Sequence, residues 1–393
     1  MEKLIPLSVP NFAGKELEYV TRAVETEWVS TGGRFIKEFE EKIAKYLKVK
    51  KAAACQSGTA ALHLALWLSG VGKDHEVIVP TLTFIAAVNP IKYQGAEPVF
   101  MDCDDSLNMD LDKLEEFCQK KCFLSKEGLI NQRSKKVIKA LIIVHVFGNM
   151  ANMERVMYIA RKYKLKVIED ATEALGSYCT KGEYSAKFAG TIGDFGAYSF
   201  NANKIITTGG GGMLVAKDIA LAARAKYLST QSKDDPLYYI HDEIGYNYRM
   251  TNLQAALGLA QLEQLEDFIE IKTKNYALYK KELETIEGLD LLNFNKETRP
   301  NYWFYSLMID KEKYAFNRDE LLQKLYQRNI QTRPIWGLIH QQKPYLNNQS
   351  YQIERASYYL ERVLNIPCST NLDEQKVLTV IQVLKDFSSQ RGI

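Results

Sequence analysis

The chain has 393 residues, of which 46% are hydrophobic and 25% are charged, and its formal net charge is +3. Its length exceeds the size at which one hydrophobic core stops growing, so two domains are expected. The 51 basic and 48 acidic residues form no basic stripe, and no apolar run approaches the roughly 20 residues that span a bilayer. Since the N-terminus also lacks an apolar signal segment, we expect a cytoplasmic protein that binds neither nucleic acid nor membrane.

The first three-fifths of the chain alternates short apolar runs with amphipathic stretches. Helices are expected at Leu111–Lys120 and Met153–Tyr163, whose apolar residues recur at helical spacing. Strands that alternate with helices favour a mostly parallel sheet covered on both faces. Seven runs have the length and composition of strands: 52–55, 77–80, 98–101, 137–145, 167–170, 196–200 and 213–216.

The pattern changes after about residue 252. Residues 253–269 read as one long amphipathic helix that continues as a charged helix through 272–286. A strand at 302–309 and helices near 319–327 and 373–387 follow. We therefore predict a large α/β domain over residues 1–252 and a smaller α+β domain over residues 253–393.

The six cysteines are widely scattered, which favours reduced thiols. Cys118 and Cys122 lie one helical turn apart, but no second Cys or His pair is near enough in sequence to complete a zinc site. We expect no metal centre.

Two polar segments follow predicted strands in the first half of the chain. Cys55–Thr59 opens a helix, and its free N–H groups with the hydroxyls of Ser57 and Thr59 can bind a phosphate, although such residues more often only cap a helix. The run 167–170 ends on Asp170, whose carboxylate can keep a heterocyclic nitrogen protonated or can simply cap the next helix.

Two further polar segments lie downstream. Lys204 stands in a polar turn just after a strand that ends near Ser199, and Gly209–Gly212 follow it. Such a lysine can serve as a Schiff-base amine, and the Ser199 hydroxyl can reach a phosphate. Alternatively, Lys204 is a surface lysine before a flexible loop. The segment 245–252 carries Arg249, which can clamp a diphosphate or belong to a surface loop held by tyrosines.

Each segment alone has an ordinary structural explanation, but their order is much more specific: a phosphate turn, a strand-end Asp and a downstream Lys. In this order the sequence resembles the DegT/DnrJ-type sugar-nucleotide aminotransferases, of fold type I of the pyridoxal phosphate (PLP) enzymes. The resemblance covers nearly the whole chain. It is carried by the segments GTAAL at 58–62, PTLTF at 80–84, VHVFG at 144–148, EDA at 169–171 and SFNANKIITTGG at 199–210.

The resemblance implies a fold and a cofactor site. The large domain would contain a mostly parallel, seven-stranded sheet and would bind PLP. Lys204 matches the lysine that bonds covalently to the cofactor and moves the proton, and Asp170 matches the partner of the pyridinium nitrogen. Glu173 matches the residue beside the ring hydroxyl, and Phe84 the aromatic that stacks on the ring; a core phenylalanine in a β–α turn is the alternative for Phe84.

The resemblance also implies how the cofactor phosphate is bound. Its ligands would be Ser57, Gly58, Thr59 and Ser199, together with an asparagine, Asn247, that arrives from the neighbouring subunit. The enzyme would therefore be a homodimer with shared active sites.

The retained Lys204 favours transamination over the dehydratase relatives, which carry His there. L-Glutamate would give its amino group to the cofactor, and a keto sugar nucleotide would then receive it. Segments 228–233, 239–243 and 332–340 resemble the LegC-like branch, which aminates C4 of a nucleotide-linked 4-keto-6-deoxy-N-acetylhexosamine, with UDP favoured over GDP, for bacillosamine- or legionaminic-type sugars. The alternatives are a C3-aminating enzyme, a perosamine-type enzyme that uses a GDP sugar, and another fold-type-I PLP enzyme.

Five residues are candidates for substrate contacts. Trp28 and Thr31 are placed in the nucleotide-sugar pocket, and Arg249 and Arg333 at the diphosphate or at the carboxylate of the donor. His340 belongs either to the substrate pocket or, equally well, to a packed C-terminal loop with Trp336.

Overall fold

The computed structural model describes residues 4–389. Over that span the chain forms helices and strands in alternation through its first half. The α-helices, α1 to α12 in chain order, are Glu16–Glu25, Arg34–Tyr46, Gly58–Leu68, Asn89–Tyr93, Leu111–Lys120, Met153–Tyr163, Ile219–Ser229, Asn252–Leu262, Leu265–Leu283, Arg318–Gln327, Arg355–Leu360 and Glu374–Ser388. Short 3-10 turns lie at Ile85–Ala87, Val146–Gly148, Ile339–Gln341 and Lys343–Tyr345.

The strands form one large sheet, a four-stranded sheet and a two-stranded ribbon. In chain order β1 to β16 are Ala52–Cys55, His75–Pro80, Glu97–Met101, Cys122–Leu124, Leu129–Asn131, Val137–Val144, Lys166–Asp170, Tyr178–Cys179, Phe195–Ser199, Gly212–Ala216, Leu289–Leu291, Thr298–Arg299, Tyr305–Ile309, Arg333–Pro334, Gln349–Tyr351 and Val363–Ile366. The large sheet has the order β1-β10-β9-β7-β6-β2-β3-β15, and the β4–β5 hairpin extends it from β6. Its neighbours are parallel along this path except at β10, which runs antiparallel to β1 and β9.

All seven predicted strands are confirmed, as β1, β2, β3, β6, β7, β9 and β10. Their apolar runs are continuous because the sheet is buried on both faces. On β6, Ile142 and Val144 pack into one hydrophobic cluster, whereas Leu141 and Ile143 pack into the cluster on the opposite face. The mostly parallel α/β architecture is therefore as predicted.

The sheet is wider than the seven predicted strands, because β4, β5 and β15 join it. The sequence Gln349-Ser350-Tyr351 of β15 has no apolar run that would mark it as a strand. Its pairing depends on β3, where Gln349 lies opposite Val99.

The predicted single helix over 253–269 is wrong, because α8 ends at Leu262 and α9 begins at Leu265. Gln264 stands between them with non-helical backbone angles. Its side-chain amide donates a hydrogen bond of 2.6 Å to the Glu16 carboxylate, and Gln261 donates another of 2.6 Å to the same oxygen. This contact with the N-terminal helix holds Gln264 at the break.

The C-terminal part contributes the antiparallel sheet β11-β13-β16-β14. The predicted helices near 319–327 and 373–387 are confirmed as α10 and α12, and the predicted strand 302–309 begins only at Tyr305. One apolar cluster joins Leu62 of α3 to Leu364 of β16. The division at residues 252 and 253 stays a prediction. Within residues 4–389, every helix is too short or too polar to cross a membrane.

Candidate active site

A cavity of about 270 Å³ opens where β7 and β9 end and α3 begins. Ligands of open α/β sheets bind at this edge, beyond the carboxyl ends of the strands. Eight residues that were selected from the sequence line the cavity: Ser57, Gly58, Thr59, Phe84, Asp170, Glu173, Ser199 and Lys204.

One wall of the cavity is the start of α3. Ser57 caps this helix, since its Oγ accepts a hydrogen bond of 3.1 Å from the Ala60 N–H. Gly58 and Thr59 are the first two helical residues, whose N–H groups have no acceptor within a helix. Ser57 therefore acts as the ordinary cap, and the same turn still presents N–H groups that suit an anion.

A side chain at position 58 would crowd the neighbouring residues. A Cβ there would lie 2.9 Å from Thr172 Cγ2 and 3.0 Å from Ser199 Cβ, which is tighter than side-chain contacts allow. A Cβ at Gly212 would likewise overlap the main chain of Ser57. These glycines let the start of α3 approach the ends of the neighbouring strands closely, so the Gly209–Gly212 run is in part a packing requirement.

Asp170 is the last residue of β7 and is 4% exposed. Burial raises the pKa of its carboxyl, and hydrogen bonds from Thr172 and the charge of Lys204 oppose that rise. Its Oδ1 accepts the Thr172 N–H at 3.1 Å. A buried carboxylate of this kind is stabilised by a proton-bearing partner such as a pyridinium N–H.

Lys204 and Glu173 are neighbours in the lining of the cavity. The Lys204 Nζ lies 3.6 Å from Glu173 Oε1, while Glu173 Oε2 accepts the Phe147 N–H at 2.9 Å. Burial raises the pKa of Glu173 to about 7, and the charge of Lys204 limits that rise. Near neutral pH this carboxyl can therefore accept or supply a proton beside the amine.

The sequence reasoning missed an aromatic wall that comes from the C-terminal part of the chain. Trp303 and Phe304 line the cavity, as does Trp336, for which a packed loop is the alternative given above. The Trp303 ring centroid lies 4.0 Å from the Lys204 Nζ. The aromatic run at 302–305 was the signal in the sequence, but only the fold brings it beside Lys204.

All five substrate candidates lie outside the lining of this cavity. Trp28 is 62% exposed and borders a separate depression of about 590 Å³ with Gly33. Thr31 lies three residues further along, in the same N-terminal segment. The Arg333 Nη1 donates to the Thr332 carbonyl. His340 Nδ1 lies 2.6 Å from the Thr81 Oγ1, which agrees with the packed-loop alternative.

Asn247 and Arg249 bond to each other outside the cavity. The Asn247 Oδ1 accepts from Arg249 Nε at 3.0 Å, and Arg249 Nη2 donates to Gln231 Oε1 at 3.0 Å. They follow a surface segment, residues 234–244, which we call the arm. Its large apolar side chains are at least half exposed: Leu237, Tyr238, Tyr239, Ile240 and Ile244.

Comparison with known proteins decides the family. The model of the DegT/DnrJ/EryC1/StrS aminotransferase family matches residues 10–385. This chain belongs to that family. Among its relatives, GDP-perosamine synthase of Escherichia coli O157:H7 is 37% identical over 391 residues, which cover 99% of this chain and 100% of that protein.

Two further proteins support the assignment. The UDP-4-amino-4,6-dideoxy-N-acetyl-beta-L-altrosamine transaminase of Campylobacter jejuni is 29% identical, over 97% of this chain and 98% of its own. The crystal structure of a DegT DnrJ EryC1 StrS aminotransferase from Brucella abortus superposes with a TM-score of 0.85 at 28% identity, covering 95% of each chain. The resemblance to this family and the fold class inferred from the sequence are confirmed, and the chain is a sugar aminotransferase.

Members of the family depend on PLP, so the predicted cofactor is confirmed. The cavity fits that group. The N–H groups of Gly58 and Thr59 suit a phosphate, and buried Asp170 suits the ring nitrogen. The Asn203 Oδ1 is buried at the same cavity without a hydrogen-bond partner within the described residues, which leaves an acceptor for a donor that is not part of the protein.

Proposed function

We propose that this protein transfers the amino group of L-glutamate to C4 of a nucleotide-linked 4-keto-6-deoxyhexose. The observation that carries the proposal is the Lys204 amine, which lies 3.6 Å from Glu173 in the cavity that Asp170 and the start of α3 also line. A lysine at this point supports amino transfer, since it can both bond to a carbonyl cofactor and move a proton.

When bound, PLP supplies an electron sink for the substrate carbon that loses its proton. Lys204 would hold the cofactor and, once released, carry the proton at the sugar carbon. Glu173, with a pKa of about 7, would exchange that proton with the amine. Asp170 would keep the ring nitrogen protonated, because its buried carboxylate gains a partner by doing so.

Two other contacts complete the proposed cofactor site. The phosphate would bind the N–H groups of Gly58 and Thr59, with the hydroxyls of Ser57 and Ser199 beside them. Phe84, which is 55% exposed at the mouth of the cavity, has a ring face free to stack on the cofactor.

Two candidate substrates differ in the nucleotide and in the N-acetyl group of the sugar. The resemblance to the LegC-like branch supports a UDP-linked N-acetylhexosamine, and the relative from C. jejuni acts in that class by its name. The higher identity to GDP-perosamine synthase, 37% against 29%, supports a GDP-linked sugar without the N-acetyl group at least as well. Incubation with L-glutamate and an equimolar mixture of the two 4-keto sugars, read by mass spectrometry, identifies the one that is aminated first.

We also propose that the enzyme acts as a homodimer with shared sites. Asn247 lies outside the cavity of its own chain, at the base of the arm with its exposed apolar side chains. Such a surface is typical of one that is buried by another molecule. Contact with a second copy would bring Asn247 to the partner's cofactor phosphate. Six reduced and buried cysteines agree with a cytoplasmic location, which belongs to the same proposal.

The first test is spectroscopic. Purified protein with PLP should show the visible absorption band of a covalently held cofactor, and Lys204→Ala should lose it because the bonding amine is gone. Lys217→Ala makes the same substitution at an exposed lysine outside the cavity. It is the matched control and should keep the band. An unchanged spectrum in Lys204→Ala would rule out the assignment.

A further inference from the structure

We propose that Trp303 is the positioning residue for Lys204: its ring face holds the free ammonium group whenever the amine is not bonded to the cofactor. This inference rests on the proposed role of Lys204. It assigns a residue from the C-terminal part of the chain to the control of Lys204, which lies in the turn after β9 of the large sheet.

The geometry around the amine supports this role. The Lys204 side chain is 13% exposed, and its Nζ lies over the Trp303 ring, 4.0 Å from the centroid, and 3.6 Å from Glu173 Oε1. A lysine ammonium within about 6 Å of a tryptophan centroid is attracted by the ring, most strongly where water is excluded. The ring attracts the charge without taking up the proton, whereas Glu173 can exchange one.

The Trp303 ring is itself fixed in place. Its Nε1 donates a 2.7 Å hydrogen bond to the Asn203 carbonyl, next to Lys204 in the turn. The Phe304 ring stacks on it, with centroids 4.0 Å apart and planes 10° from parallel. The ring therefore keeps its distance to the lysine turn.

The Trp303 main chain is tied to the Glu173 loop as well. Its N–H donates to Asn301 Oδ1 at 3.0 Å, and Asn301 Nδ2 donates to the Glu173 carbonyl at 2.9 Å. Its carbonyl accepts from Lys272 Nζ at 3.0 Å, and Lys272 is buried. Trp303 is thus connected to both loops that supply the proton-handling groups, which is what a positioning residue requires.

The test measures the reactivity of the Lys204 amine directly. Protein loaded with pyridoxamine phosphate, in which Lys204 is free, is labelled with trace acetic anhydride, and mass spectrometry compares Lys204 with the exposed Lys126. At pH 7.5, Lys204 should be labelled roughly threefold to tenfold faster in Trp303→Leu than in wild type. The reagent reacts with the neutral amine, and the ammonium form is no longer stabilised by the ring. Above about pH 11, where free lysines are largely neutral, the two proteins should label at the same rate.

Matched variants separate the ring face from other effects. Trp303→Phe keeps a ring and should stay within about twofold of wild type. Trp303→Met fills the space without a ring and should label Lys204 as fast as Trp303→Leu does. It replaces the leucine variant in the test if that variant does not fold. Trp67→Leu removes a tryptophan that lies near Arg224, away from the cavity, and should leave the labelling rate of Lys204 unchanged.

Three results would overturn the inference. The first is a wild-type labelling rate in both Trp303→Leu and Trp303→Met, and the second is a Trp303→Phe rate equal to that of Trp303→Leu. The third is a rate gain that is equal at every pH, which indicates that the reagent only reaches Lys204 more easily. Failure of the proposed function is recognised separately. If loading wild type with PLP gives Lys204 no protection from the reagent, Lys204 does not bond to the cofactor.

Discussion

Replacement of Glu173 by glutamine should change how the stability of the cofactor-free protein depends on pH. Burial raises the pKa of this carboxyl from about 4.5 to about 7 in the folded protein. As pH rises from 4.5 to 7, the unfolded chain ionises Glu173 while the folded chain keeps it protonated, so the free energy of unfolding falls. A rise of this size is worth about 3 kcal/mol at 1.36 kcal/mol per unit, an order-of-magnitude figure.

The glutamine side chain does not ionise, so the variant should lack this loss. The free energy of unfolding of Glu173→Gln minus that of wild type should therefore increase by about 3 kcal/mol between pH 4 and pH 8. Urea denaturation of both proteins across that range measures the difference, in which the titrating groups that do not interact with Glu173 cancel; Lys204 and Asp170 do interact with it. Glu127→Gln, the same substitution at an exposed glutamate outside the cavity, is the control. A flat difference for Glu173→Gln would refute the argument from burial.

Two other predictions concern the phosphate turn and the subunit interface. Gly58→Ala places a Cβ 2.9 Å from Thr172 Cγ2, so it should destabilise the protein by about 1–3 kcal/mol and weaken PLP binding, as measured by thermal melting and by cofactor titration. Wild-type affinity and stability would show that the turn has room. Mixing inactive Lys204→Ala with Asn247→Ala should restore about a quarter of wild-type activity through hybrid dimers that hold one intact site, whereas no recovery would contradict a site shared between subunits.

The strands could be predicted because they are buried on both faces, as β6 shows with Leu141 and Ile142 in opposite clusters. Local composition alone determines such runs. The break between α8 and α9 could not be predicted, because Gln264 is held there by Glu16, which is 248 positions away in sequence. Short β15 escaped notice for a similar reason, since its pairing with β3 is set by the fold.

The candidate site divides in the same way. Asp170 ends β7 and Lys204 lies in the turn after β9, so sequence order placed both at one edge of the sheet, and the structure brings them to one cavity. Trp303 reaches that cavity only through the packing of the C-terminal part, which no local pattern encodes. The roles of Trp28 and Arg249 stay predictions, because both side chains lie outside the cavity of their own chain.

The measurement that tests the central claim most directly follows the nitrogen atom. The enzyme with PLP is incubated with ¹⁵N-labelled L-glutamate and a 4-keto-6-deoxy nucleotide sugar, in the UDP and in the GDP form, and the products are read by mass spectrometry. We expect 2-oxoglutarate and one amino sugar nucleotide that carries the ¹⁵N, and neither product from Lys204→Ala. Absence of a ¹⁵N-labelled amino sugar from every 4-keto substrate would contradict the proposed amino transfer.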